Sequence, residues 1–249
     1  MFHRNEQAQC RALPVVSEYP TMIYDEAFCM QMAFNARLTA YPVWIESFDG
    51  IDALVIERFD RNSDVTGGRL HQEDFNQALG AHGSEKYQEF GGKVSAKRIA
   101  QILARFGKSD DVSKLASQVI FAIAIGNLDM HAKNISILHF PDSSIMLAPT
   151  YDQVPLRHQN TDGKMALAIG GEYIHANISL TDVISELTSW RVNAFSDETK
   201  AIAFVESCLK TFNDALFNTA VNNRAHPGLI EDISGFISYL LSWKRIGSR

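Results

Sequence analysis

Apolar residues recur with two different periods along this chain, and the change of period divides it. From Ser95 onward the spacing is helical. Ile99, Ile102, Leu103 and Phe106 fall on one face of a helix over Ser95 to Phe106, with Ser95 as its cap and Gly107 as its stop. A second helix is predicted from about Val112 to Ile125, apolar towards its end, so that end is expected to be buried. Further helices are expected at Thr181 to Trp190, Asp197 to Val221 and Leu229 to Trp243; in the last, Ile230, Ile233, Phe236, Ile237 and Leu240 mark a core-facing stripe.

The first part is mixed. Residues 1–22 give no clear pattern. Glu26 to Arg37 reads as a helix carrying Phe28, Met32 and Phe34, and Pro42 bars its continuation. Val43 to Glu46 and Ala53 to Phe59 read as strands around a turn containing Phe48, Asp49 and Gly50. A polar loop (60–70) leads to a short helix expected over Gln72 to Leu79. Two short strands, Ile135 to His139 and Ile145 to Ala148, interrupt the helical body. The expected class is α+β, with no internal repeat or low-complexity tract.

Composition narrows the function classes. Lys and Arg total 23 and Asp and Glu 29, a formal charge of −6 over 249 residues, so direct nucleic-acid binding is not expected: no basic excess exists to neutralise phosphates. Apolar residues make up 46%, which excludes disorder as the main state. The longest apolar run, Val119 to Ile125, is far short of the roughly 18 residues of a membrane span. The polar start, Met-Phe-His-Arg-Asn-Glu, has no apolar secretion core, and three widely spaced cysteines (Cys10, Cys29, Cys208) fit a reducing cytoplasm better than a disulfide framework.

One segment carries the chemistry. It runs Gly126, Asn127, Leu128, Asp129, Met130, His131, Ala132, Lys133, Asn134, then a strand hairpin, then Pro149, Thr150, Tyr151, Asp152. Asp129 and Asn134 lie in a loop leaving a helix, and the hairpin returns the chain so that Asp152 can converge on them. Mg²⁺ takes oxygen ligands and keeps several waters, so an Asn oxygen and one carboxylate can hold it against ATP phosphates. A second carboxylate can then orient a hydroxyl and accept its proton. Protein kinases place an Asp and an Asn five apart, followed by a metal-binding Asp. Lys133 could offset phosphate charge, and His131 could hydrogen-bond a phosphate oxygen or the reacting hydroxyl. Asp-x₄-Asn alone also occurs by chance in loops; the second Asp after a two-strand return is what favours chemistry.

The run from Gly126 through Asp129, His131 and Lys133 to Asn134 resembles the catalytic loop of the HipA family of toxin kinases, whose pattern is close to Gly-x-Thr-Asp-x-His-x-Lys-Asn. Three further stretches are similar in the same order. Ala53 to Arg61, with Glu57, Arg58, Phe59 and Asp60, resembles the strand and hinge that hold adenine. Arg69 to Gly80 resembles a motif that follows the hinge, and Leu147 to Asp152 the metal-binding segment. The likeness spans roughly residues 23–240. It implies a protein-kinase-like fold, with a mainly helical C-lobe at 61–249 and a reduced N-lobe at 1–60, and a Ser/Thr protein kinase of a toxin–antitoxin system using ATP and Mg²⁺. By position, Asp129 resembles the catalytic base, and Asn134 and Asp152 the metal ligands. Glu57, Arg58, Phe59, His131, Ala132, Lys133 and Tyr151 match the nucleotide site. The partners implied are a protein substrate such as an aminoacyl-tRNA synthetase and a helix-turn-helix antitoxin. Leu128 departs from the family pattern, which has Thr there.

A kinase also needs a loop over the phosphates and a strand Lys. No glycine precedes Gly50 and no lysine precedes Lys86; where that Lys would align, the chain reads Arg11, Ala12, Leu13, Pro14. Arg11 keeps a charge but not the compact geometry of an ammonium. The family's N-terminal subdomain is therefore expected to be missing, the hairpin at 43–59 to have a free edge, and ATP to lose part of its cover. Three readings stay open: a truncated chain, a split toxin completed by a separately encoded N-terminal subunit, or an inactive kinase-like module that only binds an antitoxin. Elsewhere plain structural roles are expected. The glycine pairs 67–68, 91–92 and 170–171 read as turns, Cys29 as core and Glu26 as a helix-start charge. His139, His158 and His175 lack metal-ligand spacing, and Glu73 and Asp74 could be a surface pair.

Overall fold

The computed structural model describes residues 11–14, 19–61, 65, 67–81, 83–91 and 93–242. The Arg11 side chain, Cys10 and Trp243 fall outside that description, as do residues 1–10. Among the described residues the first elements are strand β1 (Arg11–Pro14), helix α1 (Met22–Asn35), β2 (Val43–Phe48) and β3 (Ile51–Ile56). The turn between β2 and β3 is only Asp49 and Gly50, both with positive φ (51° and 82°), as a two-residue hairpin turn requires. Helix α1 starts four residues earlier than the expected Glu26. Glu26 therefore sits inside the helix and is buried, not at its opening. β3 stops at Ile56, so Glu57–Phe59 run as irregular backbone rather than as strand.

The expected free edge of the hairpin is half covered. β1 pairs antiparallel with β3, with Arg11 opposite Ile56 and Pro14 opposite Ala53, so the sheet order is β1–β3–β2. A second correction lies at 71–79. Strand β4 (His71–Asp74) pairs with β5 (Ser136–His139), which pairs with β6 (Ile145–Leu147); only Phe75–Ala78 is helical, as α2. The all-polar sequence of β4 hides a strand because it is an outer strand of this sheet. Asp74 ends it by capping α2: its carboxylate accepts the Gln77 N–H at 2.9 Å, and Gln77 Oε1 accepts the Asp74 N–H at 3.2 Å. Glu73 reaches His139 Nε2 across the sheet at 2.9 Å. The two acids are thus a strand-pairing contact and a cap.

The helical body follows the expected spacing. It comprises α3 (Ala96–Phe106), α4 (Asp111–Ile125), α5 (Leu180–Ser189), α6 (Glu198–Phe217) and α7 (Leu229–Ser242). Ser95 caps α3 through its hydroxyl. Gly107 ends it for a steric reason, since a Cβ there would stand 2.8 Å from Leu103 O and from Asp111 Oδ2. Helix α4 is buried from Val119 to Ile125, its whole circumference in contact with neighbours, and packs against α3, α6 and α7. Between β6 and α5 lies a hairpin that periodicity does not reveal, β7 (Lys164–Ile169) and β8 (Glu172–Ile174), turning at Gly170 and Gly171. Met165 to Ile169 are all buried, so the strand reads as an unbroken apolar run without alternation. Among the described residues no helix is long and apolar enough to cross a membrane.

Candidate active site

The loop that leaves α4 is set by Gly126. Its φ of +71° lets the Asn127 N–H close back on the Ala122 carbonyl at 2.8 Å, and a Cβ at this position would lie 2.8 Å from Arg157 Cβ. Leu128, Met130 and Ala132 then turn into the core, while the Asp129 side chain is 46% exposed and Lys133 faces outward. Leu128, the departure from the family pattern, is thereby a core residue. A short 3₁₀ turn, Ala132–Asn134, closes the loop.

Asn127 fastens this loop to the returning chain. Its Oδ1 accepts the Asp129 N–H at 3.2 Å, and its Nδ2 donates to the Asp152 carbonyl at 3.0 Å. Gln153 lies within 3.5 Å of the same Nδ2 and donates to the Tyr151 carbonyl at 2.9 Å. Asn134 Nδ2 donates to the Asp129 carbonyl at 3.0 Å. One buried amide pair and one half-buried network therefore draw Asp129, Asn134 and Asp152 to one place. Asp152 itself is exposed and has φ +56°, a left-handed backbone rare for a residue other than Gly.

Tyr151 links the same place to 57–59. Its ring lies 5.7 Å from that of Phe59, which meets Tyr41 edge-on at 6.0 Å. Its hydroxyl donates to the Lys133 carbonyl at 2.8 Å and contacts Ser136 Oγ, which accepts from Gln72 Nε2 at 3.1 Å. Burial raises the Tyr151 phenol well above its ordinary pKa, so it stays protonated as a donor. Burial alone would raise the Asp60 carboxyl, but the Arg58 and Arg61 guanidiniums beside it, at 2.5 and 2.7 Å, prevail and hold it below the usual range.

A cleft of about 400 Å³ runs between these groups, walled by Glu26 and Glu57–Phe59 on one side and Lys133, Asn134, Tyr151 and Asp152 on the other. Of the sequence-derived candidates, Glu57, Arg58, Phe59, Lys133, Asn134, Tyr151 and Asp152 line it. His131 and Ala132 do not: Ala132 is wholly buried, and His131 lies beneath Asp129 with Nε2 3.8 Å from Asp129 Oδ2. Burial lowers the pKa of His131, so it is held neutral, and its Nδ1 has no partner among the described residues. Asp129 opens onto a neighbouring cleft of about 290 Å³ between Tyr87 and β7, with Tyr87 Oη donating to Asp129 Oδ1 at 3.1 Å. Sequence reasoning gave no role to Tyr87, Asn127, Gln153, Gln72 or Ser136. Asn127 stood inside the singled-out segment, but nothing local marks Tyr87, which comes from more than forty positions away.

No three His, Cys, Asp or Glu residues converge as a metal cluster among the described residues. A cation here would rest on one carboxylate, one amide oxygen and non-protein oxygens, a donor set that suits Mg²⁺ and fits Asn134 and Asp152.

Several known proteins are similar to this chain. Y4mE of Sinorhizobium fredii, which is named as a kinase, is 38% identical over 162 residues, 63% of this chain and 38% of that protein. The chain spans less than half the length of the curated relatives it matches. Among solved structures, the Shewanella oneidensis toxin–antitoxin protein HipA, determined with HipB and operator DNA, superposes with a TM-score of 0.72 at 23% identity over 90% of this chain and 55% of that one. The Helicobacter pylori proinflammatory kinase CtkA superposes with a TM-score of 0.59 at 13% identity, over 98% of this chain and 86% of that one. Those two likenesses give the fold, which is α+β and kinase-like. The family model for the HipA-like C-terminal domain matches residues 8–220, and the chain belongs to that family.

Proposed function

We propose that this chain is the catalytic part of a serine/threonine protein kinase that moves the γ-phosphoryl group of ATP to a protein hydroxyl. The observation that carries the reading is the cleft of about 400 Å³ shared by Glu57–Phe59, Asn134 and Asp152, to which Asn127 and Asn134 tie the Asp129 backbone. In this reading the 57–59 backbone takes the adenine, and Lys133 and Tyr151 flank the nucleotide. Asn134 uses its amide nitrogen to hold the Asp129 carbonyl, which leaves its oxygen for a cation. Asp152 supplies the carboxylate. Bound Mg²⁺ would neutralise developing charge on the phosphates. Asp129 orients the acceptor hydroxyl and receives its proton. The lobes divide near residue 60, with 1–60 above and 61–249 below. The reaction belongs in the cytoplasm, where ATP and protein acceptors meet.

The proposal extends to partners. The Shewanella HipA was solved with HipB and operator DNA, and on that likeness a helix-turn-helix antitoxin is the proposed regulator here. An aminoacyl-tRNA synthetase is the proposed acceptor class, on the family resemblance. Calorimetric titration with ATP and Mg²⁺ tests the core of the reading. Binding that depends on Mg²⁺ and is lost in Asp152→Asn supports it. Absence of binding, both alone and with a supplied N-terminal partner, rejects it in favour of a non-catalytic interaction module.

A further inference from the structure

Two clefts meet at the 126–134 loop, and they differ in which side chains they share. The larger takes Lys133, Asn134 and Asp152; the smaller takes Asp129, with Tyr87, Leu156, Asp162, Lys164 and Met165 as its walls. If the nucleotide lies in the first, as proposed above, the acceptor hydroxyl must approach Asp129 from the second. A protein hydroxyl already stands there. Tyr87 Oη donates to Asp129 Oδ1 at 3.1 Å, while the Tyr87 ring meets His131 edge-on at 5.7 Å and carries Lys86 Nζ 4.5 Å above it.

The segment bearing Tyr87 is fastened by its other residues. Tyr87 sits between two short 3₁₀ turns, Gly83–Lys86 and Gln88–Phe90. Glu89 pairs with Lys164 at 2.5 Å, and Gln88 Oε1 accepts the Ala168 N–H at 3.2 Å, so both anchors lie on β7 across the smaller cleft. Displacement of the phenol from Asp129 would leave these two anchors in place. A carboxylate that takes a proton from an incoming hydroxyl has to accept a hydrogen bond from it first, and Tyr87 now fills one of the acceptor positions on Oδ1, the one that faces the smaller cleft.

We propose that Tyr87 marks the acceptor-hydroxyl position on Asp129 and that its phenol occupies that position until a protein serine or threonine displaces it. In the transfer, the acceptor oxygen bonds to the γ-phosphorus, and the bond from that phosphorus to the bridging oxygen breaks. The acceptor proton passes to Asp129 Oδ1, and ADP departs. With the phenol in place, water, the smallest rival acceptor, has to compete with it for that one position on Oδ1. The inference rests on the kinase reading, and its test separates the two.

The experiment measures ATP hydrolysis by the full chain with Mg²⁺, alongside ATP affinity by calorimetry, for wild type, Tyr87→Phe and Tyr87→Phe/Asp129→Asn. The phenylalanine keeps the ring against His131 and removes only the hydroxyl, and an unchanged melting temperature checks the fold. The expected result is hydrolysis raised about tenfold in Tyr87→Phe, the low end of the scale of one hydrogen bond to a charged group. ATP affinity should be unchanged, and the double variant should lose the gain. Hydrolysis that is unchanged or lower in Tyr87→Phe, with ATP still bound, overturns that role; a fall would make Tyr87 a positioning residue for the base. Failure of every variant to bind ATP rejects the kinase reading itself, and the Tyr87 assignment with it.

Discussion

The 126–153 segment and the β1–β3–β2 sheet sit on opposite sides of the same cleft and are held by different physics. In the segment, side-chain amides do the holding. Asn127, Gln153 and Asn134 bind backbone groups of Asp129, Asp152 and Tyr151, and most of these atoms are shielded from water. In the sheet, backbone pairing holds the strands, and Trp44, Phe48 and Ile51 remain 40%, 46% and 58% exposed. Buried polar ties are costly to break, because each leaves a desolvated group without a partner. An exposed apolar residue on a paired strand can be changed cheaply. The geometry of the candidate site should therefore be brittle on the helical side and tolerant on the sheet side.

Substitutions can break that contrast in order of size. Asp129→Asn removes the proposed base while leaving its backbone ties intact. Phosphoryl transfer should fall roughly 10²–10⁴-fold at an unchanged melting temperature. Asn127→Ala cuts the link between Asp129 and Asp152, and should cost about 1–3 kcal/mol in denaturant titration, with a loss of Mg²⁺-dependent nucleotide binding. Gly126→Ala places a Cβ against Arg157 at a φ of +71°, and should cost about 1–3 kcal/mol. Trp44→Ser, on the open face of β2, should move stability by no more than about 0.5 kcal/mol. Equal sensitivity of Trp44 and Asn127 would erase the distinction.

Acid should also find the helical side. Burial holds His131 and His175 below their ordinary pKa of 6.5. The unfolded chain therefore binds protons near 6.5 that the folded chain refuses until lower pH. The stability contribution of these two groups is complete above that value and is lost as pH falls through their folded pKa values. Denaturant midpoints should drop between pH 7 and pH 5, and His175→Gln should flatten part of the drop. A midpoint that stays level over that range would contradict the burial argument.

Much of this was legible in the sequence, for reasons that can be named. Helices α3, α4, α6 and α7 announce themselves through apolar stripes that face one core. Strands β5 and β6 are short apolar runs separated by turn residues. Strand β4 was hidden because an outer strand can be wholly polar, and β7 because a strand buried along its length does not alternate. The nearness of Asp152 to the 129–134 loop could be anticipated from spacing, since a hairpin must bring its two ends together, whereas the opening of Asp129 onto a different cleft from Asn134 and Asp152 could not. Tyr87 could not be, because a contact between distant loops leaves no local periodicity. Ala132 illustrates the reverse: its position in the motif suggested the nucleotide, whereas its side chain is core.

The central claim is that Asn134 and Asp152 hold one cation against a nucleotide lying along Glu57–Phe59. Calorimetry of ATP binding with and without Mg²⁺ tests it most directly, in wild type and in Asp152→Asn. Tighter binding with Mg²⁺ is expected in the wild type, and no Mg²⁺ effect in the variant. The same Mg²⁺ effect in both proteins would contradict it.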